Sequence, residues 1–256
     1  IGKIDEFFKY KDMFQGLPED QALACKLYND AGYNLAHHSY THLSASKSQL
    51  KLYKSDFIKA DKKLFSLGLN NVIKQHRFPF LHYGDTHGKR VQLTSFINNY
   101  GYTIGYVTID NFDWYINSKV LEIVRDGNEI NFDNLRKMYI DALWNSITFY
   151  DNLAKKYLTR SPRHVLLLHE NELAALFLGD LILHIKSEGW RIISPELAYQ
   201  DSIGKITNVF EFNKQGRIAA IAHEKGAEKN ELRSKTEDSN YLDEMFLNYN
   251  IINNNN

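Results

Sequence analysis

Cysteine is nearly absent from this chain. Cys25 is the only one, which excludes an internal disulfide framework and any cysteine-rich zinc site. Set among apolar, helix-like neighbours, it is expected in the core. Proline is sparse as well, 4 in 256 residues, and no Pro-rich linker marks a place to divide the chain. No apolar run approaches the ~20 residues that cross a bilayer, so no transmembrane segment is expected. Neither sign of charge is in excess: 31 Lys and Arg stand against 31 Asp and Glu. Without a basic surplus or a long basic run, nucleic acid is not an expected partner. Internal repeats are missing too.

What is present is a chain with 43% hydrophobic residues, enough to bury one large core. Helical and strand-like patterns alternate along it. Pro18, then Ala22, Leu23, Cys25 and Leu27, predict a helix stopped by Gly32. A short strand is expected at 33–36. Leu50, Tyr53, Phe57, Leu64 and Phe65 recur near helical spacing before Gly68. Next come a strand running into a loop (72–80), a helix (91–100) closed by Gly101, and a strand (102–109). The apolar rhythm from Leu135 to Leu153 predicts a long helix over 133–157, with its aromatic residues in the core. A compact apolar strand is expected at 164–168, Asn171 can cap a helix ending at Gly189, a strand follows at 190–193, and Ser194-Pro195 begins another helix. Past Asp201 the pattern weakens. A strand is possible over 209–212, 225–249 is highly charged, and 253–256 is all Asn, so 201–256 reads as an accessory C-terminal segment. Alternation of this kind favours a parallel sheet with outer helices, open or closed into a barrel, with its chemistry at the C-terminal ends of the strands.

Four clusters fall at such ends. His37-His38-Ser39-Tyr40-Thr41-His42 offers neutral imidazoles as nitrogen ligands for a cation such as Zn²⁺, although paired loop histidines can equally be hydrogen-bonded to each other. His76-Arg77-Phe78-Pro79-Phe80 places a cation beside a rigid aromatic wall; a lone Arg there is ordinarily a surface ion pair. Asp110-Asn111-Phe112-Asp113-Trp114 sets two carboxylates next to an indole able to stack on a sugar, or forms an acidic turn with a half-buried Trp. Leu167-Leu168-His169 ends an apolar run with a histidine that, taken alone, reads as a core residue. Their order, each just after a predicted strand, places all four on one rim.

In that order the motifs His38-Ser39-x-x-His42, Arg77-x-Pro79-Phe80, Asp113-Trp114 and Leu167-x-His169 resemble those of the NodB-like polysaccharide deacetylases, carbohydrate esterase family four, over roughly residues 20 to 200. The resemblance implies an α/β fold, a distorted (β/α) barrel of the NodB-homology type lacking its first strand here, over residues 1–200. It implies that His38 and His42 hold a divalent metal, Zn²⁺, and that the Phe80 N–H faces the oxyanion. Trp114 would line the sugar groove and Arg77 would orient the catalytic base. Asp113 would hold His169 as the general acid. The implied activity is metal-dependent removal of acetyl groups from an N-acetylated glycan, chitin-like or peptidoglycan-like, in a periplasmic, cell-envelope or secreted setting.

The family's first motif, a strand ending in adjacent aspartates that supply the base and a metal ligand, has no counterpart: no Asp-Asp pair occurs in these residues, and Asp5 lies in a different context. The pair is expected upstream of Ile1. Two other readings follow from the same residues. A relative without the pair would bind carbohydrate without turnover, and a metal-bearing rim could also act on a non-sugar amide. His37 stands where the family often has Asn and reads either as a group supporting the ligands from behind or as an exposed neighbour of them; Phe80 replaces a frequent Tyr.

Overall fold

A computed structural model of the chain describes residues 18–206 and 214–252. The strand expected over 209–212 and the Asn run at 253–256 lie outside the described residues, as does Asp5. The chain forms two compact units, Ile1–Gly105 and Tyr106–Asn256.

In the first unit α1 (Pro18–Asp30) leads to β1 (Leu35–His37), α2 (Leu50–Phe65), β2 (Val72–His76), α3 (His87–Asn99) and β3 (Thr103–Ile104). The three strands pair in parallel in the order β1-β2-β3. Parallel neighbours require crossovers, and α2 and α3 supply them, which is the α/β pattern the alternation predicted. No barrel is formed by these three short strands. Tyr53 and Phe57 of α2, Leu93 and Ile97 of α3, with Phe78 and Tyr102, make the unit's core. Register sets His37 opposite His76, so both lie at the C-terminal edge of the sheet, and the loops carrying His38, His42, Arg77 and Phe80 leave from that edge. Cys25 is half-buried rather than in the core, and Leu23 and Leu27 beside it are exposed.

The second unit is built on helices: α4 (Asp113–Arg125), α5 (Phe132–Leu158), α6 (Glu172–Ser187), α7 (Pro195–Tyr199), α8 (Arg217–Glu224) and α9 (Ser239–Asn248). Its axis is α5, whose Leu135, Met138, Tyr139, Ala142, Leu143, Ile147 and Tyr150 are all buried at helical spacing. Asn131 caps its first turn by accepting from Asn134 N, and Thr159 ends it in the left-handed region at φ 60°. The caps expected at Asn171 and Ser194 are present, accepting from Ala174 N and Leu197 N. Gly216 is required by close approach, since a Cβ there would sit 3.1 Å from the Val107 carbonyl that accepts from Arg217 N at 2.8 Å.

Of three expected strands, 102–109 is reduced to β3 (Thr103–Ile104), and 164–168 and 190–193 are not formed as strands. Past β3, residues 106–109 and 164–168 form a parallel bridge between Ile109 and Leu166, with Thr108 N and Ile109 N donating to the Val165 carbonyl at 2.9 and 3.1 Å and Leu167 N to the Ile109 carbonyl at 3.0 Å, but no strand. The Thr108 hydroxyl accepts from Val165 N at 2.7 Å, and a side chain that captures a ladder donor interrupts the ladder. Among the described residues 190–193 form no strand; Trp190 packs on the His164 and Trp144 rings while Ile192 is exposed. The segment after Asp201 is also not an appendage. Ile203, Ile218, Ile221, Leu232, Leu242, Met245 and Phe246 belong to the same core as α5. Leu242, Met245 and Phe246 recur at helical spacing beneath the charges that dominate the sequence there. No helix among the described residues is long and apolar enough to cross a membrane.

Candidate functional site

The sequence-predicted residues fall into two sets, one in each unit. In the first, side chains alternate along β1 and its extension, so that His37 enters the interior and His38 stays exposed. The turn after it is tight: Ser39 and His42 both have positive φ, 69° and 55°. Asp56, buried on α2, holds the turn by accepting from Tyr40 N at 2.8 Å, Thr41 N at 3.2 Å and the Thr41 hydroxyl at 2.7 Å. The His38 and His42 Nε2 atoms come to 3.3 Å. His38 Nδ1 lies 2.8 Å from the Arg77 carbonyl. A carbonyl can only accept, so Nδ1 carries the proton and Nε2 presents a lone pair.

This spacing fits a hydrogen bond between the two rings and equally fits two ligands of one ion. Two nitrogens at about 2.0–2.1 Å from one tetrahedral Zn²⁺ stand about 3.3–3.4 Å apart, and ligand histidines ordinarily donate their second nitrogen to a carbonyl or carboxylate. The third donor is not in view: among the described residues no group of three or more His, Cys, Asp or Glu side chains is placed to hold a metal.

Phe80 lies in the 3₁₀ turn Pro79–Leu81 with φ 59° and ψ 14°, and Leu81 follows at φ 51°. Consecutive left-handed backbone at bulky residues is strained and is found where a function requires it. The exposed Phe80 ring packs edge-on against His42, centroids 4.4 Å apart. Arg77 Nε donates to the Gly105 carbonyl at 3.2 Å. Behind these residues, His37 is buried, its Nδ1 3.3 Å from His76 Nδ1, and His76 Nε2 is 2.9 Å from the Tyr53 hydroxyl. Burial pushes His37 down to about 4 and His76 well below the ordinary histidine range, so both are neutral near pH 7. Of the two readings of His37, that of an exposed neighbour is thereby excluded: the strand's alternation that exposes His38 turns His37 inward.

The second set centres on Asp113, at the first turn of α4 and fully buried. Its Oδ1 accepts from His169 Nδ1 at 2.6 Å and Trp114 N at 2.8 Å; its Oδ2 accepts from His169 N at 2.7 Å and Asn171 Nδ2 at 3.3 Å. The carboxylate therefore fixes both the backbone and the ring of His169, whose side chain is 47% exposed. Asn111 braces the arrangement by accepting from Asp113 N at 2.9 Å and donating to the Leu167 carbonyl at 2.6 Å. Trp114 is exposed beside the Phe112 and Tyr115 rings. Asp110 is buried with an Asn111 N–H on its Oδ1; burial, then the Glu237 carboxylate, pushes it up to about 8.

Sequence reasoning missed Asp56 and the second role of Asn171. Asp56 had a signal, since it shares the inward face of α2 with Tyr53, Phe57 and Ala60, where a carboxylate must be hydrogen-bonded. Asn171 was legible only as a helix cap; its bond to Asp113 spans 58 positions in the sequence. Compared with known protein families, with curated proteins and with solved structures, the chain has no match.

Proposed function

We propose that this chain is a metal-dependent hydrolase that removes acetyl groups from N-acetylated glycans, of the NodB-like kind its motifs resemble, with the distorted (β/α) barrel that kinship implies. The observation that carries the reading is the pair of histidine sites. His38 and His42 present Nε2 atoms at the spacing of two ligands to one ion, and His169 is held by a buried carboxylate as a proton-exchanging ring.

His38 and His42 would hold Zn²⁺, which supplies electrophilic activation of the acetyl carbonyl when bound. Asp56 keeps the turn between them closed, and the Arg77 carbonyl keeps His38 in the ligand tautomer. His169, with Nδ1–H directed to Asp113, carries the proton on Nε2 that the departing sugar amine requires; Asp113 stabilises the imidazolium and prevents the ring from turning. The Phe80 N–H serves the developing oxyanion, and Trp114 gives the sugar ring a flat apolar surface. The base and a further metal ligand are to be supplied by carboxylates outside the described residues.

The experiment is acetate release from N-acetylglucosamine oligomers by the Zn²⁺-loaded protein. Release that a chelator stops and added Zn²⁺ restores is expected. Absence of release from any acetylated glycan by protein that has bound Zn²⁺ would leave the carbohydrate-binding reading in its place.

A further inference from the structure

In the second unit an open cleft of about 630 Å³ lies over residues 215–241, within the ~300–1,000 Å³ usual for small-ligand sites, and it shares no residue with the candidate site above. Its lining is unusual for a chain whose charges balance. Lys229, Arg233 and Lys235 face it against a single carboxylate, Asp238. Asp238 is already engaged as the cap of α9, its Oδ1 accepting from Asn240 N at 2.8 Å and Tyr241 N at 3.1 Å. Neither Lys229 nor Lys235 makes an ion pair among the described residues, and Arg233 reaches only 3.9 Å from the buried Glu237. Glu237 in turn is occupied, accepting from the Tyr150 hydroxyl at 2.6 Å and Gln215 Nε2 at 3.0 Å.

The cleft is thus cationic, and the groups beneath its cations are fixed rather than adjustable. The rest of its lining argues for a sugar over a bare anion. The half-buried Tyr241 ring gives apolar surface on which a pyranose face can rest, and the exposed Asn230 amide suits a sugar hydroxyl; Gln215 and Ser234 are buried beneath them and bonded within the protein. We propose that this cleft binds a carboxylate-bearing saccharide, with Lys229, Arg233 and Lys235 receiving the carboxylate and Tyr241 the ring. The inference does not depend on the hydrolase reading, and it can hold whether or not the chain releases acetate.

Binding is measured calorimetrically on the whole chain with a chelator present, so that no turnover intervenes. The probes are a hyaluronan tetrasaccharide, which alternates N-acetylglucosamine with a carboxylate sugar, neutral chitotetraose, and inorganic phosphate. The hyaluronan tetrasaccharide is expected to bind at least about tenfold more tightly than chitotetraose, and a Lys229→Gln, Lys235→Gln double variant to lose about tenfold for the former while leaving the latter unchanged. Both lysines are exposed, so the variant keeps the fold, as a circular dichroism melt checks. Equal affinity for the two tetrasaccharides, or an unchanged double variant, overturns the proposal. Phosphate displacing the tetrasaccharide at equal concentration does so too, since it would reveal a simple anion site.

Discussion

Replacing Asp113 by Asn keeps the shape of a fully buried side chain and changes its hydrogen-bonding capacity. The carboxylate accepts four bonds, two on each oxygen, from His169 N, His169 Nδ1, Trp114 N and Asn171 Nδ2. An amide has one oxygen and one NH₂, so whichever way it is placed, one pair of donors meets another donor. If the NH₂ faces Oδ1's partners, His169 Nδ1 must lose its proton to accept, and the ring is held in the opposite tautomer. Facing Oδ2's partners, it leaves the backbone N–H of His169 without its acceptor. Two charge-assisted bonds at about 1.5–3 kcal/mol each are therefore lost, for a destabilisation of roughly 3–6 kcal/mol. For a unit of this size, at about 2–4 °C per kcal/mol, that corresponds to a melting temperature lower by about 6–24 °C. Acetate release at a temperature where the variant is still folded should fall by about 10²–10⁴, as when a general acid is lost. Thermal melts and initial rates on Asp113→Asn measure the two together. A variant that melts and turns over like the parent would refute both the burial argument and the role of His169.

Other substitutions separate the functions. His42→Ala should abolish stoichiometric Zn²⁺ binding and turnover alike, whereas His169→Ala should retain the metal and lose turnover; equal loss of metal in both, by equilibrium dialysis, would contradict the assignment. Asp56→Ala releases three donors in the 38–42 turn and should weaken Zn²⁺ binding by about 10–100-fold without touching the ion, as read by competition with a chromophoric chelator. Asp110 has its folded-state value raised to about 8, above the ordinary 3.8, so the folded chain binds the extra proton and stability falls as pH rises between those values. Asp110→Asn should therefore gain on the parent progressively from pH 4 to 8 in urea melts; a difference that shrinks with rising pH would show that Asp110 is not held protonated by burial.

The helices were legible because their signals are local. The apolar spacing of Leu135 to Leu153 and the caps at Asn171 and Ser194 need no knowledge of the partner surface. Strands were less so. The run 164–168 is as apolar as a buried strand, yet one threonine hydroxyl from 57 positions away takes the Val165 N–H and leaves only a bridge. Charge misled at the C-terminal end, where Leu242, Met245 and Phe246 hold a buried face among exposed polar neighbours. Of the candidate site, the residue types and their order were readable. What was not readable was the bracing, Asp56 under the His38–His42 turn and Asn111 and Asn171 around Asp113, since each reaches across more than a dozen residues or depends on a neighbouring backbone.

Zn²⁺ K-edge absorption on the protein loaded with a single equivalent tests directly whether His38 and His42 form one metal centre. Imidazole nitrogen scattering is expected at about 2.0–2.1 Å, diminished by His38→Ala and by His42→Ala. A spectrum that neither substitution changes would place the ion elsewhere and contradict the account.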